Sequence, residues 1–260
     1  AVIIRKAGCI AGAAEPGTQR GCVMYDAILF DLDGTLLGLD NDHFVNLYFK
    51  ALGQKLSPWY PEGEIIPLIV QATEAMMKAR GDRGLLCDVF REAYDRQSTV
   101  PFASLEPVYD EFYRTEFDQV RSISRPLPLA RKVLEQAAAI TPRIALATIP
   151  IFPRVAIDAR LNWGRLSDFP FALITSFENM HTSKPNPNYF LEVAHRLNVA
   201  PSSCLMVGND YRDDMAAVAA GMETYMVLDY ALNSHLARHT PTYTGSLADL
   251  HDFLLQIRNS

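Results

Sequence analysis

The sequence predicts an α/β protein: a doubly wound parallel sheet with a helical segment inserted early in the chain. Three observations carry this reading. Short apolar runs such as Ala27-Ile28-Leu29-Phe30 and Cys204-Leu205-Met206-Val207 have the length of strands buried on both faces. They alternate with stretches of helical periodicity, which is the pattern of a parallel sheet with crossover helices. Between 40 and 125 only the helical rhythm is present, and a stretch of that length cannot be a loop.

Taken in order, Tyr25 to Phe30 reads as the first strand. Phe44, Leu47, Tyr48 and Ala51 then recur at helical spacing. Further helices are predicted at about 65 to 80, 85 to 97 and 105 to 120, the last with Ser104 as N-cap and Glu106 in its first turn. From Pro126 the pattern changes. A helix from Leu129 to Ile140 precedes a second strand, Arg143 to Thr148, and Pro153 suits the first turn of a helix reaching about Asn162. Phe171 to Ile174 is a third strand, and Asn186 can cap a helix from Pro187 to Asn198. Cys204 to Val207 is the fourth strand, followed by a polar turn and a helix to Ala220 that Gly221 stops. Thr224 to Leu228 is the fifth, and Leu247, Leu250, Phe253, Leu254 and Ile257 line a closing helix.

Ligands of such sheets bind beyond the carboxyl ends of the strands. The predicted strand ends carry Asp31 and Asp33, then Thr148, then Lys184, then Asn209 and Asp210. Asp31 and Asp33 would share a face of an extended segment, and Gly34 lets the backbone turn away after them. Two adjacent carboxylates repel unless a proton or cation sits with them, and Mg²⁺ is the simplest partner.

Composition sets the outer bounds. Hydrophobic residues are 49% and charged residues 21%, an ordinary globular balance, and the net charge of -6 argues against general nucleic-acid or polybasic membrane binding. Cys9, Cys22, Cys87 and Cys204 lack metal-ligand spacing and are too sparse for a disulfide scaffold, so reduced thiols in a cytoplasmic protein are expected. No apolar run approaches bilayer length. Residues 1 to 23, ahead of Met24, read as an expression leader or disordered tail. Nothing decides the oligomeric state.

The run ending in Asp31-Leu32-Asp33-Gly34-Thr35-Leu36-Leu37 resembles the first motif of the haloacid dehalogenase superfamily of phosphohydrolases. Thr148, Lys184 in Ser183-Lys184-Pro185, and Gly208-Asn209-Asp210 resemble its second, third and fourth motifs in order, so the resemblance runs from about Tyr25 to the end. It implies a Rossmann-like core over 24–39 and 126–260 and a helical cap over 40–125. It also implies a Mg²⁺-dependent phosphatase acting on a small phosphorylated metabolite. Asp31 would be the nucleophile that forms an aspartyl-phosphate, and Asp33 the acid and base. Thr148 would donate to a phosphoryl oxygen, while Lys184 neutralises charge on the transferring group. The metal would rest on Asp31, the carbonyl of Asp33 and the fourth-motif carboxylate Asp210. Asn209 or Asp214 would assist, with Asp213 the weaker candidate.

Two positions depart from the family pattern. Asn209 stands where relatives often carry an acid, and Ile149 where many carry Asn. Asp33 disfavours dehalogenation, which has no alkoxide to protonate. A phosphomutase stays open, as does a phosphonate hydrolase using Lys50, Lys55 or Lys78, or a non-catalytic binding protein that kept the fold. The helical segment is expected to select the substrate, with His43, Lys50, Arg80, Arg83 and Arg114 as anion contacts to weigh against plain surface roles.

Overall fold

A computed structural model describes residues 25–61 and 63–259, so the leader expected over 1 to 23 lies outside the described residues. The sheet has six parallel strands in the order β5-β4-β1-β6-β7-β8, from β1 (Ala27–Phe30), β4 (Ile144–Leu146), β5 (Leu173–Ile174), β6 (Cys204–Gly208), β7 (Glu223–Val227) and β8 (Tyr243–Gly245). β1 is central. It pairs with β4 through Phe30 opposite Leu146 and with β6 through Phe30 opposite Val207. The reversal of strand order at β1 opens a crevice beyond its carboxyl end, where ligands of such sheets bind.

Burial explains why these runs became strands. Every residue of β1, β4 and β6 is buried, so their apolar runs are continuous rather than alternating. Helices α5 (Ala130–Ile140), α6 (Arg154–Trp163), α7 (Pro187–Arg196) and α8 (Leu247–Arg258) accompany the sheet. Asn186 caps α7 by accepting from the Asn188 amide at 3.0 Å, as its position before Pro187 predicts. Ser246 and Asp249 close a reciprocal capping box on α8.

Between β2 (Leu37–Leu39) and β3 (Ser124–Pro126), which pair antiparallel, run α1 (Asn41–Leu56), α2 (Ile65–Met77), α3 (Leu86–Asp95) and α4 (Phe102–Arg114), then a 3-10 stretch from Glu116 to Ile123. Their buried faces are strongly aromatic: Phe44, Tyr48, Phe112, Tyr113 and Phe117 pack at centroid separations of 5.2–6.5 Å. The α4 boundary differs from the sequence reading. Ser104 lies inside the helix, because the Asp95 carboxylate accepts from the Phe102 amide at 2.6 Å and starts α4 earlier. The helix expected after the fourth strand forms as 3-10 turns over Met215–Ala220, with the Ala217 amide reaching the Asp214 carbonyl at 3.1 Å. Gly221, at φ +86, ends it.

Candidate active site

At the carboxyl end of the sheet lies a cavity of about 420 Å³, lined by Asp31, Asp33, Thr148, Lys184, Asn209, Asp210, Asp213 and Asp214 on one side. Helices α1 to α4 line the other through Phe44, Tyr48, Phe49, Ile69, Phe90 and Tyr109. Four separate chain segments thus meet over β1. They do so because each follows a strand, or a strand-to-helix connection, at the same edge.

Lys184 is the hub. It is 1% exposed, and its Nζ donates to Asp31 Oδ1 at 2.9 Å and to Asp214 Oδ1 at 2.5 Å. Burial opposes its charge, but Asp214 and Asp31 outweigh that and hold the ammonium protonated well above its ordinary range. Asp31 behaves in the opposite way. Burial drives its carboxyl up to about 8, with Asp214 and Asp33 adding repulsion that Lys184 only partly offsets. Burial likewise raises Asp214.

The second oxygen of Asp31 accepts no hydrogen bond among the described residues, and the main-chain carbonyl of Asp33 accepts none either. The Thr148 hydroxyl is buried without a partner, although the residue lines the cavity. A buried hydroxyl of this kind is costly unless something arrives to accept from it.

The fourth loop is more internally committed than its sequence suggests. Asp214 Oδ2 accepts from the amides of Asn209 and Asp210, both at 3.0 Å, so both its oxygens are engaged. Asp210 turns back on its own loop: Oδ1 accepts from the Arg212 and Asp213 amides and Oδ2 from Asn233 Nδ2 at 2.6 Å. Asp213 is gripped by Arg212. Asn209 lies under the first loop, its Oδ1 accepting from Thr35 Oγ1 at 3.0 Å and its Nδ2 donating to the Tyr230 carbonyl at 2.7 Å. Among the described residues no three Asp, Glu, His or Cys side chains converge as a metal cluster.

The donor set nevertheless suits a hard divalent cation. A carboxylate oxygen of Asp31, the Asp33 carbonyl and the remaining lone pair of Asn209 Oδ1 are all oxygens. Asp33 is ion-paired with Arg160, Asp31 and Asp214 with Lys184, and Asp213 with Arg212, while Asp210 has no cationic partner among the described residues. Five carboxyl groups thus face three cations, and once Asp31 ionises a divalent ion would offset the excess of negative charge.

Arg160 is the site residue that sequence reasoning missed. It is 1% exposed, pairs through Nη1 with Asp33 Oδ2, and lies over the Phe152 ring at 4.7 Å from its centroid. A signal was present, because Ala156, Ile157, Arg160 and Leu161 are the buried face of α6 and one of them is charged. His43, by contrast, is exposed and pairs with Asp40 at 2.8 Å at the start of α1, outside the cavity lining. Arg83 is committed to Glu92, Lys55 to Glu111 and Glu116, and Lys78 to Glu74. Lys50, Arg80 and Arg114 do not line the cavity.

Gly34 holds the first loop at φ +84, and a Cβ there would overlap the Asn209 side-chain amide. Gly34→Ala is therefore expected to lose at least about 2 kcal/mol, from left-handed backbone strain plus displacement of Asn209. Urea unfolding checks this; a loss below about 0.5 kcal/mol would show that the loop relaxes freely.

Comparison with known proteins adds an independent line. A family model described as haloacid dehalogenase-like hydrolase matches residues 25–221. A phosphoglycolate phosphatase of Xanthomonas campestris is 29% identical over 209 residues, covering 78% of this chain and 82% of that protein. A bifunctional riboflavin kinase/FMN phosphatase of Arabidopsis thaliana is 26% identical over 230 residues, covering 86% of this chain and 54% of that protein. Among solved structures, the L-2-haloacid dehalogenase of Xanthobacter autotrophicus aligns with a TM-score of 0.53 at 20% identity, over 89% of this chain and 99% of that one. A HAD phosphatase from Thermococcus onnurineus aligns with a TM-score of 0.53 at 19% identity, over 88% and 97%. At these identities the structures speak for the fold.

Proposed function

The chain belongs to the haloacid dehalogenase-like hydrolase family, and from that premise we propose that it is a Mg²⁺-dependent phosphatase of small phosphorylated metabolites, working through an aspartyl-phosphate on Asp31. The observation that carries this reading is the division of labour on Asp31: Lys184 holds one oxygen and the other has no partner among the described residues, while the unpartnered Thr148 hydroxyl belongs to the same cavity lining.

In this mechanism the free Asp31 oxygen attacks phosphorus in line, and the bond from phosphorus to the leaving oxygen breaks. Asp33 gives its proton to the departing alkoxide, which leaves as the alcohol. Asp33 then takes a proton from water as that water attacks the phosphoryl group, so that inorganic phosphate departs and the Asp31 carboxylate is restored. Thr148 donates to a phosphoryl oxygen, and the Lys184 ammonium steadies charge in both steps. Mg²⁺ would be held by Asp31, the Asp33 carbonyl and Asn209, and when bound it supplies positive charge to the phosphoryl oxygens. Asp214 and Asp210 would act from behind, tying the fourth loop in place. The helical segment over 40–125 would serve as the cap that excludes water.

One observation favours a second reading, a non-catalytic binder: Asn209 and the inward-turned Asp210 leave few anionic donors for a metal. Phosphate release from an alkyl phosphate with Mg²⁺, with chelator, and in Asp31→Asn tests the two. Metal-dependent release lost in the variant supports the phosphatase, whereas metal binding without turnover on any phosphoester supports the binder.

Metal affinity should itself depend on pH. Asp31 is protonated below about 8 in the metal-free protein and must lose that proton to bind a cation. Apparent Mg²⁺ affinity should therefore rise about tenfold per pH unit from 6 towards 8 and level off above. Calorimetry in buffers of different ionisation enthalpy would register the released proton; a flat profile would mean that Asp31 is already ionised.

A further inference from the structure

The cavity beside Asp31 is far larger than a phosphoryl group needs, and its wall is mostly apolar. At about 420 Å³ it falls within the size range of sites that enclose drug-sized ligands. Phe44, Tyr48, Phe49, Phe90, Phe152 and Phe177 are part of its lining. Several are already packed edge to face, such as Tyr48 against Phe152 at 5.4 Å and Phe44 against Phe152 at 5.8 Å. Rings so arranged present both faces and edges to a planar guest.

Each cation of the lining is already ion-paired, although Arg160 Nη2 is buried without a hydrogen-bond partner among the described residues. Lys184 is held by Asp31 and Asp214, Arg160 by Asp33, and Arg91 by Asp88 and Glu106. Among the described residues these three are the only Lys or Arg that line the cavity, and Glu106, Asp110 and Glu178 line it too. A second anionic group on the substrate would meet these carboxylates with every lining cation already ion-paired and little beyond Arg160 Nη2 to oppose them, and rejection by like charge is an effective source of specificity.

Resting on the phosphatase reading above, we propose that the substrate is a phosphate monoester of a neutral alcohol carrying an aromatic ring system, and that small anionic esters such as 2-phosphoglycolate are poor substrates. The phosphoryl group would sit at Asp31 and Thr148 while the ring lies against the packed cluster of Phe44, Tyr48 and Phe152.

The test compares 2-(1-naphthyl)ethyl phosphate, ethyl phosphate and 2-phosphoglycolate, all esters of primary alcohols, so that leaving-group reactivity does not mask pocket preference. The naphthylethyl ester is expected to exceed each of the others at least about 100-fold in kcat/KM, a ratio that burial of several ring carbons can supply. Phe49 is half-buried and outside the reacting groups. Phe49→Ala should cut kcat/KM about tenfold more for the naphthylethyl ester than for ethyl phosphate; Phe49→Leu gives the same comparison should the alanine variant not fold. Equal rates, a preference for 2-phosphoglycolate, or a Phe49→Ala effect common to all three esters would overturn the proposal while leaving the phosphatase reading intact. If no ester turns over, that reading has failed, and calorimetry with 2-(1-naphthyl)ethanol decides the pocket by itself. Saturable binding weakened by Phe49→Ala upholds it, and no binding overturns it.

Discussion

Asp31→Asn is expected to lower turnover by at least about 10³-fold and, in the same protein without metal, to raise the melting temperature. The first effect follows from replacing a carboxylate nucleophile by an amide. The second follows from burial: the folded state holds the Asp31 carboxyl up to about 8, whereas the unfolded chain releases that proton at the ordinary carboxylate value. The sign follows directly. A raised acid contributes stability that is fully present below the unfolded value and is lost as pH climbs to about 8, because the unfolded state ionises first. The asparagine has no such loss, so its advantage over wild type should grow from pH 4 to 8 and stay constant beyond. Lys184 keeps Asp214 at 2.5 Å in the variant, so the lysine is not stranded. Each kcal/mol relieved is worth roughly 2–4 °C in a chain of this size. Melting curves in chelator at pH 5, 7 and 9 decide it: a variant that melts lower at every pH would mean that the Asp31–Lys184 pair stabilises more than the burial of Asp31 costs.

The fold and the chemistry were legible to different depths, for physical reasons. Continuous apolar runs announce β1, β4 and β6 because both faces of those strands are buried. The strand β8 was invisible: Tyr243-Thr244-Gly245 is short and half-buried, and its pairing with β7 is a tertiary fact. The ribbon of β2 and β3 hides for a similar reason, since Gly38 and Pro126 weaken any strand signal and only the partner chain segment defines it. At the site, the order of Asp31, Thr148, Lys184 and Asn209 along the sequence was enough to bring them to one edge of a parallel sheet. What the order could not reveal was how oxygens are shared. Whether Asp210 or Asp214 faces the cavity with a free oxygen depends on which amides claim them, and the loop amides and Asn233 claim nearly all.

Arg160 is where the missing information has the largest consequence. Its guanidinium is buried, donates to Asp33 and to the Ala156 carbonyl at 3.3 Å, and is braced by the Phe152 ring. Arg160→Met keeps the length of the side chain but leaves Asp33, whose side chain is 16% exposed, without its counter-ion and close to Asp31. Breaking a buried pair from one side costs about 3–5 kcal/mol, and the partial exposure of Asp33 puts the expected loss at about 3. The double variant Arg160→Met with Asp33→Asn removes the stranded charge and should recover much of that loss, giving a coupling energy of about 1–3 kcal/mol. Turnover should separate stability from positioning. With Asp33 no longer held at one orientation, kcat should fall about 10- to 100-fold while KM moves little, since Arg160 has no assigned contact with substrate. Arg160→Lys keeps the charge without the planar fork, so it should restore more stability than kcat. Urea unfolding of the four proteins in the cycle, read beside their kcat and KM, separates these effects. A cycle with no coupling and an unchanged kcat would leave Arg160 as filling for the α6 interface, and the orientation of Asp33 would then have to come from the Gly34 turn alone.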